Sequence, residues 1–147
     1  MPSSNRSLNV IGRCGTLFRT RHLEGTGVDA LNYYYLFYIC RHPGVSQDTL
    51  SKALYVDKSS VTRHLTRLEQ EGLLTRTPST EDRRALLIHP TDRAVALLPR
   101  LREVSALWHA ALTDGFTTEE AALFEQLLSR AMENARRAAD GEVQVCD

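Results

Sequence analysis

The stretch that most constrains this chain runs from Asp57 to Arg84. It reads as a capped helix, a glycine stop and a short hairpin tipped with arginines. Asp57 is placed to accept hydrogen bonds from the open amides of a first turn. Val61, Leu65 and Leu68 recur at helical spacing and face inward, while Ser59, Ser60, Thr62, Arg63, Thr66, Arg67 and Gln70 fall opposite. Gly72 ends the helix, because glycine enters the left-handed region without steric cost. Leu73 to Thr77 and Ala85 to His89 have the composition of two strands around the turn Pro78-Ser79-Thr80-Glu81-Asp82.

Upstream, His42-Pro43-Gly44 breaks the chain, Ser46 caps a short helix over Gln47 to Leu54, and Tyr55-Val56-Asp57 turns into the stretch just described. Two helices joined by a tight turn, the second with a hydrogen-bonding face, form a helix-turn-helix, and the basic hairpin adds a wing. Between Lys58 and Arg84 six cations (Lys58, Arg63, Arg67, Arg76, Arg83, Arg84) stand against four acids, an excess of +2 in a chain whose formal net charge is +0. Distribution matters more than the sum for a nucleic-acid partner, and here all of these cations but Arg76 fall on one side and support a basic working face.

The flanks are helical as well. Leu8, Ile11, Cys14, Leu17 and Phe18 keep to one stripe of a helix over Leu8 to His22, weakened by Gly12 and Gly15, with residues 1–7 polar and unstructured. Asp29 caps a helix over Leu31 to Arg41, apolar nearly all round and dense in tyrosine. Thr91 or Asp92 starts a long helix to about Thr113, with Val95, Leu98, Leu101, Leu107, Trp108, Ala111 and Leu112 on its apolar stripe and Pro99 inside it. Thr117 and Glu120 match a capping box ahead of a last helix carrying Leu123, Phe124, Leu127, Leu128, Ala131, Met132 and Ala135. The fold class expected is mainly α (α+β), in four segments of one structural domain. These are an N-terminal arm and dimerisation helix (1–27), a winged helix-turn-helix lobe (28–90), C-terminal dimerisation helices (91–140) and a tail (141–147). A compact winged helix cannot satisfy three further amphipathic helices, so their apolar faces are expected to pair with a second copy. A two-fold dimer also suits an inverted repeat, whose half-sites lie ~34 Å apart.

The order and spacing of these pieces resemble the MarR family of bacterial transcriptional regulators, from about Val28 to Leu98. HPGVSQDTLSKAL is similar to that family's break and first helix-turn-helix element, VDKSSVTRHLTRLEQEGLLTR to its recognition helix and first wing strand, and STEDRRALLIHPT to its wing, with an Asp-x-Arg motif on Asp82 and Arg84. One departure is Thr91-Asp92-Arg93-Ala94, where the family usually continues with Thr, two residues and Gly. The resemblance implies a dimeric DNA-binding regulator, a repressor released from an inverted-repeat operator by a small aromatic or anionic effector.

Ser59, Ser60, Thr62, Arg63 and Arg67 are the major-groove candidates. Arginine can donate two hydrogen bonds to guanine, worth ~1–3 kcal/mol of discrimination; the blander reading of any one of them is a solvated helix face. Arg84 resembles the family's minor-groove arginine, with Asp82 holding its guanidinium and Arg83 on a phosphate. Ser46 and Gln47, at a helix N-terminus, are phosphate anchors, and Lys58 is a further DNA-side cation. For an effector, the resemblance points to His22, Tyr34 and Tyr38, against a plain core role for the tyrosines. The rival is redox sensing through Cys14, with Arg13 beside it; its place on the apolar stripe favours a buried, inert thiol instead. Cys40 reads as core and Cys146 as tail.

No cofactor and no metal are expected: the five histidines are scattered without a ligand spacing. Three cysteines at wide spacing make no disulfide framework. No phosphate-binding glycine loop or nucleophile elbow is present, so an enzyme is not expected. With no apolar run of ~18 residues and no signal-like start, the reading is cytoplasmic and without a membrane partner. The alternative in a different class is a winged helix that binds proteins rather than DNA.

Overall fold

The computed structural model describes residues 3–141 and contains six helices and three short strands among them. The order is α1 (Ser3–His22), α2 (Asn32–Arg41), β1 (Val45–Ser46), α3 (Gln47–Leu54), α4 (Lys58–Gln70), β2 (Leu74–Pro78), β3 (Leu86–Pro90), α5 (Asp92–Leu112) and α6 (Thr118–Ala139). The chain divides into two compact units, Met1–Trp108 and His109–Asp147, with the boundary inside α5. Cys146 and nearly all of the expected tail lie outside the described residues.

In the first unit one core collects Leu36 and Ile39 from α2, Leu50 from α3, Val61, Leu65 and Leu68 from α4, Leu74 and Ile88 from the sheet, and Leu101 and Val104 from α5. Each inward residue of α4 falls one turn from the next, which is why the helix lies flat on α2 and α3. The cap is as expected: Asp57 Oδ1 accepts the Ser60 amide at 2.8 Å. At the other end Gly72 sits at φ +69°, and the Leu73 amide returns to the Leu68 carbonyl at 2.9 Å. Asp29 caps α2, its Oδ1 accepting the amides of Leu31 (2.9 Å) and Asn32 (2.7 Å).

Several expectations shift. α1 begins at Ser3 rather than Leu8, because Ser4 to Ser7 contain no helix breaker and simply continue the helix backward. Gly15 lies where α1 makes a close approach: a Cβ there would stand 3.1 Å from both Arg19 Nη1 and Trp108 Cζ2. The wing strands start one residue later than read, since Leu73 closes the helix. A third strand is new: Val45–Ser46 pairs antiparallel with Leu87–Ile88, giving the order β1-β3-β2. Two residues carry no periodicity, so only the tertiary pairing reveals them. On α5 the buried positions are Ala94, Leu101 and Val104, whereas Val95 and Leu107 are exposed, so the inward stripe is rotated from the one read in the sequence. Of the tyrosines, Tyr33 and Tyr35 are buried and Tyr34 is half exposed, so α2 keeps one open edge. Tyr33 donates to the Leu101 carbonyl at 3.2 Å, while the Tyr35 hydroxyl finds no partner among the described residues.

In the second unit Thr117 and Glu120 form the expected capping box of α6. No residue of α6 is buried, and Leu123, Leu127, Leu128 and Met132 are exposed along it.

Candidate nucleic-acid interface

The site is built on α4, with α3 and the β2–β3 hairpin on either side of it. Ser46 caps α3, its hydroxyl accepting the Thr49 amide at 3.2 Å. Tyr55, at φ 53°, makes the left-handed turn between α3 and α4, and Ser51 Oγ fastens it by donating to the Val56 carbonyl at 2.6 Å. These bonds fix the angle at which α4 is presented.

Both flanks of α4 are tied down. On one, Gln47 Nε2 of α3 donates to Thr62 Oγ1 at 2.5 Å, and Arg76 of β2 pairs with Glu69 at 2.5 Å while reaching Thr66 Oγ1 at 3.4 Å. On the other, Asn32, fully buried, sends its Nδ2 to Asp29 Oδ2 at 3.1 Å and presents its Oδ1 to His64 Nδ1 at 2.6 Å. Because the amide nitrogen is spent on a carboxylate, the oxygen is what faces His64, so Nδ1 of His64 carries the proton. Arg67 Nη1 meets the same Asp29 Oδ2 at 3.0 Å.

What remains outward is narrower than the face read from the sequence. Ser59, Arg63 and Gln70 are exposed on the side opposite the leucines. Arg63 Nη2 donates to Ser60 Oγ at 3.0 Å, and no described carboxylate lies within ion-pair distance of Arg63. The Ser59 and Ser60 hydroxyls both donate to Asp57, at 2.5 and 2.7 Å. Those two hydroxyls and the Ser60 amide hold the Asp57 carboxyl well below the usual carboxylate range. Thr62 is engaged internally, donating to the Lys58 carbonyl as well as accepting from Gln47. Lys58 Nζ is held by Asp48 at 2.9 Å. Of the cations first placed on the working face, Lys58 and Arg67 therefore have internal carboxylate partners, as does Arg76. The ion pairs of Asp29 and Asp48 escape sequence reading because their partners lie across a turn or on a distant element, beyond any helical period.

The hairpin tip is ordered by its own main chain. Ser79 Oγ accepts the amides of Glu81 (3.2 Å) and Asp82 (3.3 Å), and the Ala85 amide donates to the Asp82 carbonyl at 2.9 Å. Asp82 differs from expectation: its Oδ1 accepts the backbone amide of Arg84 at 3.0 Å, and no described ion pair joins it to the Arg84 guanidinium. A short aspartate side chain in a turn reaches the amide two residues on more readily than a long flexible head group. Arg83 and Arg84 both project into solvent. A cleft of about 430 Å³ lined by Ser46, Gln47, Asp48, Asp82, Arg84, Ala85 and Leu86 joins the start of α3 to this tip. Four expected site residues, distant in sequence, thus share one concavity.

The three expected effector residues stand in different surroundings. His22 stacks on Phe18 (centroids 3.9 Å apart), Tyr34 faces the Arg19 guanidinium at 4.9 Å, and Tyr38 lines a shallow cleft with His42, Pro43, Val45 and Leu87. Arg19 is buried between Tyr33 and Tyr34 with its Nε unpartnered and no described carboxylate within ion-pair distance. Cys14 is exposed, not buried as its stripe suggested, because that part of α1 lies outside the core. Cys40 packs against the core, and burial raises its thiol.

Residues 26–85, the span holding α2 through the hairpin tip, match the model of the MarR family. The chain is 29% identical over 132 residues to an uncharacterised HTH-type transcriptional regulator, YybA, of Bacillus subtilis, covering 90% of this chain and 88% of that one. Among solved structures it is similar to a MarR protein at 32% identity and a TM-score of 0.86, covering 95% and 94% of the two chains. It is also similar to a mutant MarR from E. coli complexed with operator DNA, at 25% identity and a TM-score of 0.80, covering 88% and 94%.

Proposed function

Because this chain belongs to the MarR family of transcriptional regulators, we propose that it is a dimeric cytoplasmic repressor that reads an inverted-repeat operator and is released from it by a small aromatic or anionic effector. The observation that carries the DNA-reading half is the lacing of α4 on both flanks, which leaves Ser59 and Arg63 outward. A helix held rigid on a scaffold, with an outward arginine that no described carboxylate holds, suits the major groove, where arginine binds guanine O6 and N7. Arg84 at the tip of the hairpin reaches the adjacent minor groove, and Arg83 a phosphate. Ser46 and Gln47 anchor backbone phosphates at the start of α3. The similar structure bound to operator DNA supports this reading.

Dimerisation rests on exposed apolar side chains at both ends: Leu8, Val10, Ile11 and Leu17 on α1, and Leu123, Leu127, Leu128 and Met132 on α6. Stripes of this extent call for a partner surface, and a second copy also supplies the two-fold axis an inverted repeat requires. For the effector half, Arg19 between two tyrosine rings is a buried cation without a described counter-ion, an arrangement an anionic aromatic compound would complement. Exposed Cys14 favours a second reading, oxidation as the releasing signal. Peroxide treatment of the protein and of Cys14→Ser, each bound to DNA, separates them: release of the first alone supports oxidation.

Selection from a random duplex pool tests the central reading. The protein should enrich an inverted repeat with half-site centres about one helical turn apart, and Arg63→Ala should lose that enrichment. Recovery of no motif would leave a protein-binding winged helix as the better account.

A further inference from the structure

Two exposed cations, one on each flank of α4, are each held by a carboxylate from another element. Lys58, the first residue of α4, pairs with Asp48 of α3 at 2.9 Å, and Arg67 pairs with Asp29 ahead of α2 at 3.0 Å. The two cations stand about 13 Å apart along the helix axis at ~1.5 Å per residue. Both Lys58 and Arg67 are well exposed, so each head group can leave its acid for a phosphate without unpacking the core. Arg76 and Glu69 make a contrasting pair: the arginine is mostly buried and belongs to the scaffold.

We propose that Asp29 and Asp48 are built-in competitors of DNA phosphate, which hold Arg67 and Lys58 in the free protein and so lower its affinity for any duplex. The proposal rests on the DNA-reading function above. Non-specific binding to DNA is driven almost entirely by protein cations displacing condensed counter-ions. A cation that already has a carboxylate gains little from a random phosphate, because one ion pair is exchanged for another. On the operator, base contacts from Arg63 hold α4 in the groove, and the exchange at both cations is driven by that independent interaction. The exchange lowers affinity for the operator and for random DNA alike, in keeping with a chain whose formal net charge is +0.

Asparagine is the cleaner probe at Asp48, because at Asp29 its NH2 would also face the Asn32 Nδ2 that now donates to Asp29 Oδ2. At Asp29 it keeps an oxygen for the amides of Leu31 and Asn32 that the aspartate now caps. Fluorescence anisotropy with the full chain, against the selected operator and a scrambled duplex of equal length, tests the proposal. Asp29→Asn and Asp48→Asn should each tighten both duplexes about threefold, the scale of one exposed ion pair. The log–log salt slope on the scrambled duplex should steepen by about one for each cation freed. In Arg67→Ala and Lys58→Ala backgrounds the corresponding asparagine should add no slope. Gains that persist without Arg67 and Lys58 would show general repulsion and overturn the proposal. So would a loss of affinity in the asparagine variants, which would make the acids positioning groups. Failure of the unaltered protein to bind either duplex would instead overturn the DNA reading itself.

Discussion

At the scale of single residues, Asp57 does more than begin a helix. Its carboxylate gathers the Ser60 amide and the Ser59 and Ser60 hydroxyls, so it fixes two side chains of the outward face along with the cap. Since its folded value is depressed, the stabilisation is complete above the unfolded value of ~3.9 and is lost as pH falls through the folded one. Urea midpoints of Asp57→Asn should therefore match the unaltered protein's trend from pH 7 to 5 and fall less steeply below pH ~4. Tyr35 makes the opposite case. Its buried hydroxyl has no partner among the described residues, and an unsatisfied buried donor costs about 1–3 kcal/mol. Tyr35→Phe should leave stability unchanged or raise it by about 1 kcal/mol in a denaturant melt. A clear loss would mean the hydroxyl is satisfied in solution.

At the scale of elements, α6 is the one whose sequence and surroundings disagree most. It carries an apolar stripe with a full capping box, yet buries none of it. Leu127→Glu with Met132→Glu should leave the helical circular dichroism of the chain largely intact and shift the proposed dimer to monomer by light scattering. Persistence of the dimer would place the interface elsewhere. Elements with strong local signals are legible in the amino-acid sequence: α3, α4 and α6 announce themselves through Ser46, Asp57 and Thr117 and through leucines at helical spacing. Those without local signals are not. β1 is two residues long and exists only because β3 pairs with it. The true inward stripe of α5 runs through Ala94, Leu101 and Val104, and an alanine does not advertise burial. The candidate interface follows the same rule. Arg63 and Arg84 can be named from pattern, whereas the grip of Asp29 on Arg67, of Asp48 on Lys58 and of Gln47 on Thr62 arises from tertiary contacts with no sequence period.

At the scale of the whole molecule, two groove contacts per protomer and two protomers per site give the proposed DNA complex a defined footprint. In that proposed complex α4 would occupy a major groove and the Arg84 tip the flanking minor groove, on both sides of a two-fold axis. Arg84→Ala should weaken operator binding about tenfold or more, a loss of ~1.4 kcal/mol or above, with the dimer unchanged by light scattering. Hydroxyl-radical footprinting of the selected operator tests the central claim most directly. Symmetric protection about the dyad, with the outermost minor-groove protections lost in Arg84→Ala and the rest retained, is the predicted result. A one-sided footprint, or one that Arg84→Ala leaves intact at its edges, would contradict it.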